Sequence, residues 1–439
     1  MRTRAKIWVA TALACLHLAL TSAPAALAAP SASPSPSPSP VPSAPGDDAA
    51  WARTPSGVRY REIGVYDKAR FAEIMGPAFD AYAKVTPVPS AVYRKGFGDA
   101  RFAVRLYQVL YRSAVQEQGD RPTMVSGLVA VPQTGEAVLP MLSYQHGLTF
   151  DATWVPSFIE KHYETQLVLA RYASQGYVVV ASDFIGRGLS TEPDTVLVRG
   201  CNARACTDMI AAGRDVMAVE GKKPGGLLLC GFSYGGWVTL VLLRHLEEVG
   251  IPVTAAVTAG APLDLVLTLN RWIGNPQSGD APWLVEVLAL HMNALERYRG
   301  LSGLTAEAIR PAYVDLARDF YTGKIPWAQF GKRAPERCDV FTPPAFLRST
   351  SDLARAYWRI IDEANAYRWR SHTPLITYYG GADEVVPAST ARLAAQFHAI
   401  MGCGPTEARY AGARADHRAT FLHALVDSKP WFDGFLSSR

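Results

Sequence analysis

The run Gly226-Leu-Leu-Leu-Cys-Gly-Phe-Ser-Tyr-Gly-Gly-Trp237 constrains this chain more than any other stretch of it. Its first part, 226–230, is apolar without alternation, as expected of a strand buried on both faces of a sheet. Residues 237–249 read as a strongly apolar helix. Only Gly231-Phe-Ser-Tyr-Gly-Gly236 separates the two. A chain that turns from strand to helix so abruptly crosses itself closely. Glycines on either side of Ser233 permit this, because a Cβ there would collide. The serine is then held in a strained turn with its hydroxyl clear of the sheet edge, where a nucleophile belongs.

The same alternation runs through much of the chain. Residues 105–113 and 124–131, on either side of the polar turn 116–122, read as a hairpin. Apolar runs follow at 139–144, 177–182 and 253–259, with helical patterns at 164–174 and 208–219. Strands alternating with helices give a largely parallel sheet. The rhythm stops near Pro262. Residues 263–370 hold several helical patterns, five tryptophans (Trp272, Trp283, Trp327, Trp358, Trp369) and no convincing strand, so they read as an inserted helical cap. Strands resume at 374–379 and 407–410, with a helix at 389–401 between them and a last helix from about Thr420. The core is therefore expected over 100–262 and 371–439, preceded by a helical extension at 47–99 with short helices around 68–83. No repeat of propeller or solenoid length is visible.

The N-terminus reads as a targeting segment. Arg2, Arg4 and Lys6 precede an apolar stretch, 7–20, and Ala26-Leu27-Ala28 has the small residues of a cleavage site, giving a signal peptide over 1–28. Pro24 interrupts the run before the ~20 residues of a membrane span. A lipid attachment at Cys15 would leave too short an apolar region before the cysteine. Residues 29–46 form a Pro/Ser-rich linker that favours extended polyproline II. The protein is therefore expected to be secreted, extracellular or periplasmic, with no stable membrane span after signal removal. The formal charge is +5, and without the leader 41 basic residues face 39 acidic ones. That balance argues against nucleic acid as a partner.

A nucleophilic serine needs a base, and the base needs an orienting acid. Leu375-Ile-Thr-Tyr-Tyr-Gly-Gly-Ala-Asp383-Glu384 is a strand running into a Gly-rich loop with an acid. Asp383 is the candidate, with Glu384 as the alternative. His245, His291, His372 and His398 precede the last strand. His417 and His423 follow it. His417 lies in the loop just after the strand, where a base can hang over Ser233, whereas His423 falls on the final helix. The chemistry also needs two backbone N–H groups for an oxyanion. Tyr234 supplies one. Leu148, in Gln145-His146-Gly147-Leu148, is expected to supply the other, with Gly147 allowing close approach and His146 acting as scaffold. Asp183 precedes the serine and reads as turn structure. No Cys/His cluster has zinc spacing, so no metal is expected.

The ordered set His146-Gly147, Asp183-x-x-Gly-x-Gly-x-Ser190, Gly231-x-Ser233-x-Gly235, Asp383 and His417 resembles the α/β-hydrolase superfamily. Tyr144-Gln-His-Gly-Leu-Thr149, with the helical insertion and the leader, is similar to secretory lipases and exported serine esterases. The resemblance implies an α/β fold with a mostly parallel eight-stranded sheet flanked by helices and carrying the cap. It also implies cofactor-free hydrolysis of a small-molecule or lipid carboxylic ester through an acyl-enzyme on Ser233. Ser233-Tyr-Gly-Gly236 resembles serine exopeptidases of the prolyl oligopeptidase type as well, which makes amide hydrolysis the alternative. Those enzymes usually carry a propeller ahead of the hydrolase domain, and only about fifty residues stand there in this chain.

Five cysteines remain after the leader. Export favours pairing. Cys201 and Cys206 fall in what reads as a polar loop and are expected to bridge, as are Cys338 and Cys403, leaving Cys230 buried and unpaired in its strand. In the cap, Trp272, Trp283, Leu284, Leu288 and Leu290 are candidates to line an apolar pocket over Ser233, unless they pack the cap's own core.

Overall fold

A computed structural model describes residues 51–83 and 89–437; the expected signal peptide and linker lie outside the described residues. The chain opens with β1 (Ala52–Arg53), β2 (Arg59–Tyr66), α1 (Lys68–Ala83) and α2 (Ser90–Arg94). The hairpin β3 (Val104–Val115) and β4 (Arg121–Pro132) leads to β5 (Val138–Gln145), α3 (Tyr163–Arg171), β6 (Val178–Ser182) and α4 (Arg199–Val219). Then come β7 (Lys223–Phe232), α5 (Tyr234–Glu248) and β8 (Ala255–Ala259). The insertion is helical throughout: α6 (Leu265–Gly274), α7 (Leu284–Tyr298), α8 (Leu304–Ala308), α9 (Pro311–Tyr321), α10 (Trp327–Gly331), α11 (Cys338–Phe341) and α12 (Asp352–Glu363). The chain closes with β9 (Leu375–Tyr379), α13 (Ser389–Ile400), β10 (Thr406–Tyr410) and α14 (His417–Ser437).

All strands join one ten-stranded sheet in the order β1-β2-β3-β4-β6-β5-β7-β8-β9-β10. β1 to β4 and the β4–β6 pair are antiparallel, and the rest of the sheet is parallel. The expected count of eight is corrected: β3–β10 make up those eight, and the N-terminal extension adds β1 and β2 at the edge of the sheet. β2 hides in the sequence because it is only half-buried. A register shift between Glu62 and Gly64 also breaks its alternation.

Alternation places the two cores. Val178, Val180, Leu227 and Leu229 face one side of the sheet, with α4, α5 and the insertion. Val179, Ala181, Leu228 and Cys230 face the other, with α1, α3 and α14. Because successive strand residues point to opposite faces, strands covered on both sides must be apolar at every position.

α5 begins at Tyr234, directly after Ser233 and three residues ahead of the expected 237. Two further helix starts differ from expectation. α4 begins at Arg199, well before the expected 208–219, because Glu117 accepts hydrogen bonds from the N–H groups of Gly200 (2.6 Å) and Cys201 (2.9 Å). α14 begins at His417 rather than Thr420, since Asp416 accepts from the Ala419 N–H and Glu384 from the His417 N–H.

The early start of α4 removes the Cys201–Cys206 bridge. Both cysteines lie on α4, where five residues of helix separate Cα atoms by roughly 8 Å on different faces, beyond disulfide reach. Cys201 Sγ instead lies 2.9 Å from Glu117 Oε2. The Cys338–Cys403 bridge is absent too: Cys338 is buried at the start of α11, while Cys403 Sγ faces the Trp369 carbonyl at 3.8 Å. All five described cysteines are free, and burial pushes the Cys230 thiol up to about 12.

Candidate active site

In the parallel part of the sheet β5 stands between β6 and β7, so chain connections depart to opposite sides at this point. The carboxyl ends of strands beside such a reversal form a natural crevice. β5 ends in His146-Gly147-Leu148, β7 in Ser233, β9 in the Asp383 loop and β10 in the loop that leads to His417.

Ser233 has φ 55° and ψ −126°, a left-handed conformation that disfavours a side chain. The flanking glycines make it feasible. A Cβ on Gly231 would run into Thr239 and Gly235, and one on Gly235 into the Gln145 carbonyl. The strained turn aims Oγ at His417, whose Nε2 lies 2.8 Å away. On the far side of the ring, Nδ1 faces both oxygens of Asp383, at 3.1 and 3.0 Å. Asp383 is itself fixed by the N–H groups of Val385 (2.9 Å) and Val386 (2.8 Å). Glu384, the alternative acid, does not touch the ring; it accepts from the His417 backbone N–H at 3.1 Å. His423 stands against Tyr378, away from Ser233.

His417 is 4% exposed. Burial by itself lowers its pKa. The Asp383 carboxylate, helped by Glu384 and Asp416, more than offsets this, and the imidazole ends above its ordinary 6.5.

Leu148 and Tyr234 both border Ser233. Among the described residues no hydrogen bond occupies the backbone N–H of either. Tyr234 is the first residue of α5, so its N–H belongs to the positive end of that helix. The preceding peptide is anchored: the Gly147 N–H donates to Glu164 Oε1 at 2.8 Å. The same oxygen accepts from Tyr144 (2.6 Å), and Oε2 accepts from Tyr82 at 2.7 Å. Burial raises the Glu164 pKa, and its three donors oppose the shift. His146 is buried, stacks on Phe184, and has Nδ1 2.7 Å from the Gly147 carbonyl; burial lowers its pKa to about 4. Asp183 accepts from Ser126 Oγ (2.6 Å) and from Ser157 N (2.9 Å) and Oγ (2.6 Å), so it serves the turn.

Two cavities meet at Ser233. One is enclosed, apolar and about 30 Å³, bounded by Leu148, Leu197, Leu269, Trp272, Trp283 and Val386. The other is more open, about 230 Å³, and contains His417 together with Phe150, Trp154, Trp283, Trp327 and Glu164. Of the cap residues singled out in the sequence, Trp272 and Trp283 reach these cavities. Leu284 and Leu288 pack the hydrophobic interior instead, and Leu290 borders a neighbouring hollow. Sequence reasoning missed Tyr82, Trp154, Trp327 and Glu164 as site residues. None of them carried a signal in the sequence: Glu164 sits on a helix that also holds Thr165, Gln166 and Arg171.

Among the described residues no helix is long and apolar enough to cross a membrane, and no group of three or more His, Cys, Asp or Glu is placed to hold a metal ion.

Comparison with known proteins agrees with this architecture. No match was found among curated proteins. Among solved structures, a Legionella pneumophila protein assigned as a hydrolase superposes with a TM-score of 0.72 at 22% identity, over 86% of this chain and 97% of that one. The rice cell wall degrading esterase LipA from Xanthomonas oryzae gives 0.69 at 19% identity, over 86% and 97%. Candida antarctica lipase A in its closed state gives 0.59 at 14% identity, over 76% and 78%. At these identities the likeness establishes the fold. The model of the alpha/beta hydrolase family matches residues 145–424, a span that holds Ser233, Asp383 and His417, and the chain belongs to that family.

Proposed function

We propose that the protein hydrolyses carboxylic esters through an acyl-enzyme on Ser233, with His417 as base and Asp383 as its orienting acid. The observation that carries this reading is the 2.8 Å contact from His417 Nε2 to Ser233 Oγ, beside two unoccupied backbone N–H groups. Oγ attacks the ester carbonyl while Nε2 takes its proton. The carbonyl oxygen, now negative, is received by the N–H groups of Leu148 and Tyr234. The imidazolium then protonates the departing alcohol, and a water activated by the same ring releases the acid. Asp383 holds the tautomer with the proton on Nδ1. The leader and linker expected over 1–46 make export part of this reading.

An assay of 4-nitrophenyl esters beside aminoacyl 4-nitroanilides tests it. Turnover of the esters with at most trace cleavage of the anilides is expected; the reverse order would make the protein a peptidase. The enclosed cavity holds more than the ~10–15 Å³ that one water needs, but not by much. Short apolar acyl groups are therefore expected to be preferred. Equal kcat/KM from acetyl to octanoyl esters would contradict that preference.

The pH profile follows from His417. Only the neutral ring accepts the serine proton, so kcat/KM should rise with pH through an inflection above 6.5. The raised pKa acts on stability with the opposite sign. The folded chain holds this proton more tightly than the unfolded one, so the group's stabilising contribution is complete below the unfolded pKa and fades as pH rises through the folded one. An inflection well below 6.5 would argue against His417 as base.

A further inference from the structure

Two cavities reaching one nucleophile raise the question of which half of the ester enters which. The departing alcohol must take its proton from His417, so it must lie on the side of the imidazole. Only the larger cavity contains His417. The acyl group is thereby directed to the enclosed apolar cavity, and the larger one belongs to the alcohol.

The walls of the larger cavity are flat and aromatic. Phe150 and Trp327 stack with centroids 5.3 Å apart, Trp154 meets Trp327 edge-on at 5.7 Å, and Trp283 approaches Phe150 at 6.1 Å. Two cations, Lys161 and Arg418, also line it. Neither is ion-paired to a described carboxylate. Lys161 Nζ donates to Thr153 Oγ1 at 3.1 Å, and Arg418 donates to the Ala81 carbonyl at 2.9 Å while lying over the Tyr82 ring. The acids nearby form no direct ion pair with either cation, and Asp151 reaches Lys161 only through the Thr153 hydroxyl. Glu164 is covered by three donors, Glu160 is held by Arg70 and Tyr66, and Asp151 accepts from Thr153. The lining thus combines aromatic faces with two cations and one carboxylate, Glu164, and neither cation is in a direct ion pair.

We infer that the preferred leaving group is an alcohol or phenol that carries both a flat ring and a negatively charged group. The ring stacks on the wall of Phe150, Trp283 and Trp327, and the anion meets Lys161 and Arg418. This rests on the ester-hydrolase reading above.

Two butanoyl esters test it: that of 4-hydroxybenzoate, whose leaving group keeps a carboxylate, and that of 4-hydroxybenzamide, a neutral counterpart with no second ester. Two partly exposed charges together are worth a preference of about five-fold in kcat/KM for the anionic ester at low salt. It should shrink toward one as salt screens them. Lys161→Glu, at an exposed position, should reverse the preference. Arg418→Gln should weaken it, and Arg418→Lys should restore most of it. Cleavage of both esters at equal rates, or a ratio untouched by Lys161→Glu and Arg418→Gln, overturns the inference and leaves the hydrolase reading standing. Failure to cleave either ester while 4-nitrophenyl butanoate is turned over overturns the inference alone; failure on all three overturns both.

Discussion

Ser233→Ala should lower kcat by on the order of 10⁶ while the protein remains folded. Without Oγ there is no acyl-enzyme, and only the oxyanion donors and substrate binding are left to assist water. The backbone strain at φ 55° is common to alanine, and a buried elbow set by Gly231 and Gly235 does not depend on the hydroxyl, so far-UV circular dichroism should be unchanged. A fluorophosphonate should label the wild-type chain at Ser233. The label should be lost in Ser233→Ala and almost lost in His417→Ala, where nothing 2.8 Å away remains to take the proton. A Ser233→Ala protein that turns esters over at near wild-type kcat would end the serine mechanism.

The second large effect belongs to Asp383→Asn. The amide still reaches His417 Nδ1 but can present an N–H to it, which favours the tautomer that has its proton on Nε2 and cannot accept another. A fall of about 10⁴ in kcat is expected. Glu384→Gln is the matched control. Its side chain touches the His417 backbone N–H, not the ring, and the amide oxygen still accepts that bond. A loss below about tenfold is expected there. A mild Asp383→Asn beside a severe Glu384→Gln would reassign the acid to Glu384.

What could be read ahead of the structure, and what could not, follows from how local each cause is. The strand at 226–230, the turn at Ser233 and the apolar helix after it were legible because burial on both faces and a tight crossing leave their mark within a dozen residues. The order of Ser233, Asp383 and His417 was legible because each follows a strand. β2 was not: its residues are half-exposed and its register shifts at Gly64. The start of α4 was not, because its cap is Glu117, far away in the chain and invisible to any search for a local N-cap. The cysteine pairing failed for the same reason, since a loop was expected where that distant cap makes a helix. The aromatic wall had no motif at all. Phe150 and Trp154 come from the loop after β5, Trp283 and Trp327 from the insertion, and only the fold makes them neighbours.

Tyr82, on the first helix, and Arg418, in the last, stack over the same centre that holds Ser233. That places a deadline on assembly. During synthesis the serine turn can form once β5, β7 and α5 exist, but its proposed base and the finished wall wait for the chain through Arg418. On the proposed mechanism, a nascent chain that stops short of His417 would carry Ser233 in an inert form. Activity therefore reports on the completeness of the polypeptide as much as on its chemistry, and its recovery during refolding should lag the return of helix and sheet signal.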